Sequence, residues 1–289
     1  TTPWIIGAVE AVLVGYCLLG GGKRVIKATS TLVPLMGVIY ISVAFILTIM
    51  HINLVPGVVG RIFAEAFDFT AIFGGFAGSC MMFGIKRGLY SNEAGVGSAP
   101  NAAAAADVSH PVKQGLVQML SVFIDTLLIC TATAFMCLSS GIEPTKELAG
   151  APYVQAALAA SMGDYAKLFI TVSMVLFAFT TLLGNLYYVD NAFAYVLKHV
   201  PGKTFTLCYR ILACVLIFIG AGSSMGTMWD LADVTMGCMA IINLPVICIL
   251  GGPALRALDD YTEQRNAGKN PEFKASKIGL TQKLDYWQD

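Results

Sequence analysis

Charged side chains are scarce in this sequence of 289 residues. Lysine, arginine, aspartate and glutamate together make up 12% of it, and hydrophobic residues make up 56%, whereas an average soluble domain is about 25% charged. The 18 basic and 18 acidic residues cancel, so the sequence indicates no basic surface of the kind that nucleic acid needs. The composition therefore predicts a membrane protein without a nucleic-acid partner.

Signatures of catalysis and metal binding are also lacking. The three histidines, His51, His110 and His199, fall in connections, and neither H-E-x-x-H nor a paired cysteine spacing occurs. Residues 222–226 match G-x-S-x-G, but that motif needs a strand-to-helix turn, and here it joins two apolar helices. The eight cysteines lie mostly in apolar runs, as small packing residues do. We expect no enzyme, no catalytic residue and no cofactor.

Long apolar runs are what the sequence does contain. Because the hydrocarbon core of a bilayer holds no water, every backbone amide there needs a protein partner, and helices or closed barrels are the spanning structures. The runs are about 17 to 25 residues long and lack the alternation of barrel strands, which favours helices. The sequence predicts about seven membrane-crossing segments, at residues 4–20, 31–50, 70–90, 114–139, 165–196, 206–222 and 228–250.

Basic residues in the connections predict the orientation of these segments, because cytoplasmic loops are enriched in lysine and arginine. Lys86 and Arg87, after the third segment, fall on the same side as most other basic residues, whereas Asp230 and Asp233 fall on the opposite side. We therefore expect a cytoplasmic C-terminus. The tail after Gly251 is polar, and we expect it to be partly disordered and assign it no function.

The third segment contains a cluster of small residues, Gly74, Gly75, Gly78 and Ser79. Two interpretations are open. Small residues four apart let two helices pack closely, and clustered glycines, each costing about 1 kcal/mol of helix propensity relative to alanine, let a helix unwind. An unwound segment frees carbonyls for a cation and exposes a helix N-terminus that suits a carboxylate. The second interpretation predicts a site for a zwitterion and a sodium ion.

Hydroxyl groups lie near the middle of the fifth segment, where Thr180 and Thr181 are adjacent. Hard monovalent cations are held by hydroxyl and carbonyl oxygens, but a membrane threonine also bonds back to its own helix. Asp125 is the deepest acid of the fourth segment, and Ser121 lies one turn before it, within reach as a donor. A structural polar contact and a proton relay are both open for Asp125.

A close resemblance to the sodium:alanine (amino acid–cation) symporter family is carried by KRGLYSNEAGVGSAPNAAAAADVSHPVKQGLVQMLSVFIDT, and also by GGGKRVIKATSTLVPLMGVIY, GGFAGS and LFAFTTLLGN. It extends from about residue 4 to residue 250. The resemblance implies an all-α integral membrane protein with the leucine-transporter-type fold of two inverted repeats. It further implies import of a small neutral amino acid, alanine or glycine, coupled to Na⁺ by alternating access in the plasma membrane, which in bacteria is the inner membrane.

The resemblance also assigns parts of the chain to the two repeats. Residues 1–50 correspond to the last two helices of the first repeat, residues 51–250 to the second repeat with its broken helix at 70–90, and residues 251–289 to a cytoplasmic tail. The chain begins without an initiator methionine, and the first three core helices of the family have no counterpart in it. We therefore expect a truncated bundle of about seven membrane helices, whose partners include the missing N-terminal helices and the lipid bilayer.

Site residues follow from the same resemblance. Thr180 and Thr181 match the family's hydroxyl pair and would bind the sodium ion, and Asn185 stands where the family commonly has tryptophan. Asn92 and Glu93, after the broken helix, are expected to gate its inner half, with a plain surface turn as the alternative. The substrate pocket would be lined by the broken helix and by Asn185, that is by Gly74, Gly75, Phe76, Ala77, Gly78, Ser79 and Asn185.

Alternatives remain at two levels. Within the family, asparagine at 185 keeps glutamine or serine open as the substrate, and coupling to H⁺ instead of Na⁺ is open as well. From another class, a seven-helix receptor or a channel subunit is suggested by the number of segments alone. The glycine cluster of the third segment argues against a receptor built of unbroken helices.

Overall fold

The computed structural model describes residues 2–20, 22–67, 80–93, 95–143, 145, 148, 150–280, 284 and 287. Every regular element in these ranges is helical. A π-helix lies at Ile124–Cys130, and short 3₁₀ helices lie at Ile52–Leu54 and Ala275–Ile278. The α-helices are Thr2–Leu19 (α1), Gly22–Met50 (α2), Val55–Ala66 (α3), Cys80–Asn92 (α4), Ala99–Ala103 (α5), Pro111–Phe123 (α6), Thr131–Leu138 (α7), Ala151–Met162 (α8), Asp164–Leu197 (α9), Lys203–Gly222 (α10) and Met225–Asn266 (α11).

Several helical stretches are long and apolar enough to cross a membrane, which confirms an all-helical membrane protein. There are five in the described part of the chain, at Arg24–Met50, Pro111–Leu138, Asp164–Leu197, Lys203–Gly222 and Met225–Asn266, and each overlaps one of the predicted segments. The first predicted segment is a shorter apolar helix, Pro3–Leu19. The third is described only from Cys80 onward, so the predicted break at residues 74–79 lies outside the described residues.

The chain divides into two compact units. One comprises Thr1–Ile85 and Asp125–Trp229, and the other comprises Lys86–Ile124 and Asp230–Asp289. The first unit therefore contains α1, α2, α3, α7, α8, α9 and α10. The second contains α5, α6, most of α11 and the C-terminal tail.

In the first unit, small residues let α1 pack closely on α10. A Cβ added at Gly7 would lie 2.4 Å from the Cβ of Ala221, and one added at Gly15 would lie 3.3 Å from Sγ of Cys214. Lipid tails are as apolar as leucine side chains, so helices in a membrane associate through such close van der Waals contact rather than through a hydrophobic driving force. The glycines of α1 are thus packing residues.

Arg210 of α10 connects three helices of this unit. Its Nη1 donates to the carbonyl of Leu18 at 2.6 Å, and its Nη2 donates to the Asp190 carboxylate of α9 at 2.9 Å. Leu18 lies in the last turn of α1, where carbonyls lack helical partners. The guanidinium therefore satisfies the end of α1 and holds a carboxylate whose side chain is only 28% exposed.

Tyr40 of α2 lies at the centre of the other core of the first unit. Its hydroxyl and Oγ1 of Thr133 on α7 are 2.8 Å apart, and its ring packs edge-on against Phe177 of α9, with ring centroids 5.5 Å apart. Leu158 of α8 is buried in the same cluster. One aromatic side chain thus joins α2, α7 and α9.

In the second unit, the C-terminal tail is ordered, and the expectation of partial disorder is wrong for residues 251–280. Helix α11 continues to Asn266, and the tail beyond it turns back so that Phe273, Ala275 and Ile278 are buried against Ala257 of that helix. The prediction rested on polar composition alone, whereas the few apolar residues of the tail are spaced so that they share one core.

Candidate functional site

The predicted binding residues of the third segment lie outside the described residues. This applies to Gly74, Gly75, Phe76, Ala77, Gly78 and Ser79, and also to the side chain of Asn92. The structure locates the remaining predicted residues on α9 and in the turn that follows α4.

Thr180 lies halfway along α9 and is buried, with 7% of its surface exposed. Its hydroxyl donates a hydrogen bond that is shared between two carbonyl oxygens, that of Leu176 at 3.0 Å and that of Phe177 at 3.1 Å. The hydroxyl therefore bonds back to its own helix, as a membrane threonine commonly does. Because a hydroxyl oxygen has two lone pairs, Oγ1 still has acceptor capacity for a cation.

Thr181 lies on a different face of α9 and is exposed, as is Asn185. Consecutive helix residues are about 100° apart, whereas residues four apart lie one above the other. The structure therefore brings Thr181 and Asn185 together on one face, and it separates both from the Thr180 hydroxyl. The two threonines of the predicted pair therefore differ in exposure and lie about 100° apart around the helix axis.

The turn after α4, residues 93–98, has an unusual backbone. Glu93 has φ +51°, a left-handed conformation that is uncommon for a residue with a side chain. Gly95 and Gly97 have φ +86° and +104°, which glycine adopts without steric penalty. Oγ of Ser98 donates to the Glu93 carboxylate at 2.5 Å. The predicted gating residue Glu93 is thus held by a charge-assisted hydrogen bond in a strained turn, a combination typical of functional sites.

The turn at residues 93–98 packs against α11. Nδ2 of Asn243 donates to the carbonyl of Gly95 at 3.1 Å. A Cβ added at Gly97 would lie 2.9 Å from Cγ of Asn243, and one added at Gly95 would lie 2.8 Å from Cδ2 of Leu244. Only glycine lets the turn approach α11 this closely. The sequence-based argument did not include Asn243; a polar side chain in the apolar run of the last segment was the available signal.

The positions of Lys86 and Arg87 contradict the expectation from the charge pattern. Nη1 of Arg87 is 3.1 Å from Oδ1 of Asp233, and Nζ of Lys86 is 3.6 Å from Oδ2 of the same carboxylate. Side chains in contact cannot lie on opposite sides of a bilayer whose hydrocarbon core is about 30 Å thick. The prediction that separated these basic residues from Asp233 is therefore wrong, because it used sequence position and no knowledge of ion pairing.

Asp125 lies in the first turn of the π-helix at Ile124–Cys130. Its expected donor is wrong, since Oγ of Ser121 donates to the carbonyl of Gln118 at 2.8 Å instead. Oγ1 of Thr131 donates to the carbonyl of Thr126, five residues earlier, at 3.1 Å. Short π-helical turns within α-helices are frequent at functional sites. No pattern in the sequence had indicated a π-helix here.

Comparison with known proteins decides the family. Residues 1–275 match the model of the Sodium:alanine symporter family. The chain belongs to this family. It is 42% identical over 285 residues to the Amino-acid carrier protein AlsT of Bacillus subtilis (strain 168), a match that covers 99% of this chain and 60% of AlsT. It is 40% identical over 287 residues to the Probable sodium/glutamine symporter GlnT of the same strain, covering 99% of this chain and 59% of GlnT.

A third relative is the Sodium/proton-dependent alanine carrier protein of Bacillus sp. (strain PS3), which is 38% identical over 299 residues, covering 99% of this chain and 67% of that protein. The chain spans about three fifths of the length of AlsT and GlnT. The family is described as one of symporters, and these relatives are named as carrier or probable symporter proteins, not as enzymes. The resemblance stated from the sequence motifs is therefore confirmed, and the chain is a multi-pass membrane member of the sodium:alanine symporter family.

Proposed function

We propose that this chain is part of a secondary active transporter that imports a small neutral amino acid, alanine or glycine, together with Na⁺ by alternating access. The observation that carries the proposal is the face of α9 formed by Thr181 and Asn185, halfway along a helix long enough to cross a membrane, in a member of the sodium:alanine symporter family. A hydroxyl and an amide at this depth supply oxygen ligands and hydrogen bonds where lipid supplies none.

Each predicted site residue has a proposed role. Thr180 and Thr181 bind the cation, and Asn185 lines the substrate pocket. The remaining substrate contacts come from an unwound segment at Gly74–Ser79, whose backbone carbonyls and helix N-terminus match the ammonium and carboxylate groups of an amino acid. The Thr180 hydroxyl keeps its back-bond to α9 and offers its second lone pair to the ion.

Asn92 and Glu93 act as the gate of the transporter. The support is the strained turn at 93–98, whose Glu93 carboxylate is held by Ser98 and whose Gly95 carbonyl is held by Asn243 of α11. Release of these two hydrogen bonds would free the turn from α11 and relieve the left-handed conformation of Glu93.

The proposed architecture is the inverted-repeat, leucine-transporter-type bundle. In it, residues 1–50 end the first repeat, residues 51–250 form the second, and residues 251–289 are cytoplasmic. The implied location is the plasma membrane, and the N-terminal helices of the repeat pair are the implied protein partner. Two variants of the proposal stay within the family: coupling to H⁺, and a preference for glutamine or serine through Asn185.

The test is uptake of radiolabelled amino acids into proteoliposomes. The transporter is a chimera in which this chain replaces the matching part of the alanine carrier protein of Bacillus sp. (strain PS3), with that unaltered carrier as the positive control. We expect alanine uptake that needs an inward sodium gradient, and we expect Thr181→Ala to weaken the sodium dependence. Thr235→Ala is the matched control, because Thr235 is an exposed threonine of α11 that bonds back to Leu231.

The outcomes separate the variants. Uptake driven equally well by a proton gradient without sodium would remove the sodium assignment, and preferential uptake of glutamine or serine would remove alanine and glycine. An unchanged sodium dependence in Thr181→Ala would remove Thr181 from the ion site. A chimera that inserts normally but transports none of these amino acids under either gradient would contradict the proposal, in favour of a receptor or channel subunit.

A further inference from the structure

The C-terminal tail fastens two separate parts of the second unit to each other. We call residues 267–280 the strap. Phe273, Ala275 and Ile278 of the strap are buried together with Ala257 of α11, and Val112 of α6 packs against the same cluster. The strap therefore forms a small core of its own outside the predicted membrane segments.

On one side, the strap binds the loop that precedes α6. The backbone N–H of Phe273 donates to the carbonyl of Ser109 at 3.0 Å. Oγ of Ser109 donates to the carbonyl of Pro271 at 2.8 Å, and Nζ of Lys113 donates to Oδ1 of Asn270 at 2.6 Å. Three hydrogen bonds, two of them involving backbone atoms of the strap, thus hold the start of α6.

On the other side, the strap binds the polar end of α11. The side-chain amide of Gln264 both donates to the carbonyl of Glu272 at 2.9 Å and accepts from its N–H at 3.0 Å. Nε of Arg256 donates to the carbonyl of Ile278 at 2.9 Å, and Nζ of Lys277 lies 3.1 Å from the Asp260 carboxylate. The strap is therefore bonded to α11 through Glu272, Lys277 and Ile278.

His110 lies between the two sides and is completely buried. Its ring packs edge-on against Phe273 of the strap and against Tyr261 of α11, with centroids 5.1 Å and 5.2 Å away. Nδ1 accepts from the backbone N–H of Val112 at 3.2 Å and so caps α6, while Nε2 faces Oδ2 of Asp260 at 3.4 Å. An Nδ1 that accepts from an amide N–H carries no proton, so the docked imidazole is neutral.

We propose that the strap is a pH-dependent latch, docked while His110 is neutral and released when His110 binds a proton at Nδ1. Protonation would turn the acceptor of the α6 cap into a donor that faces the Val112 N–H. It would also place a positive charge at a position that is completely buried, which costs desolvation free energy. Both effects weaken the contact between the α6 loop and the strap. This inference does not rest on the proposed transport function.

The surrounding charges determine the direction of the effect. Burial lowers the pKa of His110 below its usual range and outweighs Asp260 of α11, which acts in the opposite direction; the charges of Lys113 on α6 and Lys277 on the strap also lower that pKa. A histidine that is harder to protonate when docked than when released favours docking above its ordinary pKa of about 6.5. Docking therefore weakens as the pH falls below that value.

The experiment measures amide hydrogen exchange of the strap in the whole chain in lipid nanodiscs. The rates are corrected for the intrinsic dependence of exchange on pH. Lowering the pH from about 7.5 to about 5 is expected to raise the corrected exchange rate of the strap, by at most about thirtyfold, because a released histidine with the ordinary pKa of about 6.5 binds a proton in this range. Acrylamide quenching of Trp287, whose ring packs on Phe273 at 5.6 Å, should rise over the same pH range.

His110→Asn is the decisive variant, because an asparagine oxygen also caps a helix N-terminus and does not titrate. It should keep the strap protected at both pH values. The control His199→Asn, at an exposed histidine, should respond to pH like the unaltered chain. A strap in His110→Asn that still opens with the original midpoint would overturn the latch, and so would a strap that stays closed at low pH in the unaltered chain.

A second measurement decides the matter if His110→Asn fails to dock at neutral pH. Nuclear magnetic resonance of labelled histidine gives the titration midpoint of His110 in the unaltered chain, with His51→Gln and His199→Asn assigning the other two signals. Equal midpoints for His110 titration and strap exchange support the latch. Midpoints that differ by more than about one pH unit, a factor of ten in proton affinity, contradict it.

Discussion

Gly97→Ala tests whether the turn at 93–98 is built for contact with α11. Two separate penalties are expected. A residue with a side chain at φ +104° costs about 1–2 kcal/mol of backbone strain. In addition, the new Cβ would lie 2.9 Å from Cγ of Asn243, and such overpacking costs about 1–3 kcal/mol. The sum predicts a loss of about 2–5 kcal/mol in the free energy of unfolding.

A double-mutant cycle with Asn243→Ala separates these two penalties. Asn243→Ala alone removes the hydrogen bond to the Gly95 carbonyl and should cost about 1 kcal/mol. Combined with Gly97→Ala, it removes the side-chain atom at 2.9 Å and leaves the backbone strain and the Cβ of residue 243 at 3.2 Å. The two changes together should therefore cost about 1–3 kcal/mol less than the sum of the separate losses.

The assay is equilibrium unfolding in mixed detergent micelles, followed by helical circular dichroism. Gly115→Ala is the matched control: Gly115 lies inside α6, with nothing within 4 Å of an added Cβ, and alanine there should stabilise the helix by about 1 kcal/mol. Additive losses in the cycle would refute the contact between Gly97 and Asn243. A Gly97→Ala variant as stable as Gly115→Ala would refute the strain as well.

Two further predictions concern the first unit. Tyr40→Phe and Thr133→Val each remove one partner of the 2.8 Å hydrogen bond between α2 and α7. Their double-mutant cycle should give a coupling free energy of about 0.5–1.5 kcal/mol in the same unfolding assay. A coupling of zero would mean that this hydrogen bond does not contribute to stability. Asp190→Asn leaves the mostly buried Arg210 guanidinium without its counter-charge and should cost about 1–3 kcal/mol. Asp164→Asn is the control, because Asp164 pairs with Lys167 and both side chains are exposed. It should change the free energy of unfolding by less than about 1 kcal/mol. An equal loss in Asp190→Asn and Asp164→Asn would contradict the argument from burial.

Much of the fold could be predicted because the signals for it are local. A run of about 20 apolar residues satisfies its backbone within itself only as a helix, so the spans at residues 31–50, 165–196 and 206–222 were predictable without knowledge of their neighbours. The glycines of the turn were visible in GLYSNEAGVGSAP, but not the helix against which they pack. Family membership followed from the same motifs.

Contacts between distant residues could not be predicted in this way. Asp233 pairs with Arg87, which is 146 positions away, and the charge pattern alone placed the two on opposite sides of the membrane. Thr180 is buried and Thr181 is exposed because the neighbouring helices cover only one side of α9. A helical repeat gives the angle between two residues and leaves the rotation of the helix open.

Composition, run length and motif identify this chain as a helical membrane protein of the sodium:alanine symporter family, because each of these signals is contained in a short stretch. Three features are visible only in the folded chain: the tail packed around His110, the π-helix that contains Asp125, and the contact of the 93–98 turn with Asn243. Each of them depends on packing between segments far apart in sequence, and the free energy of such packing is set by the shape of both partners together.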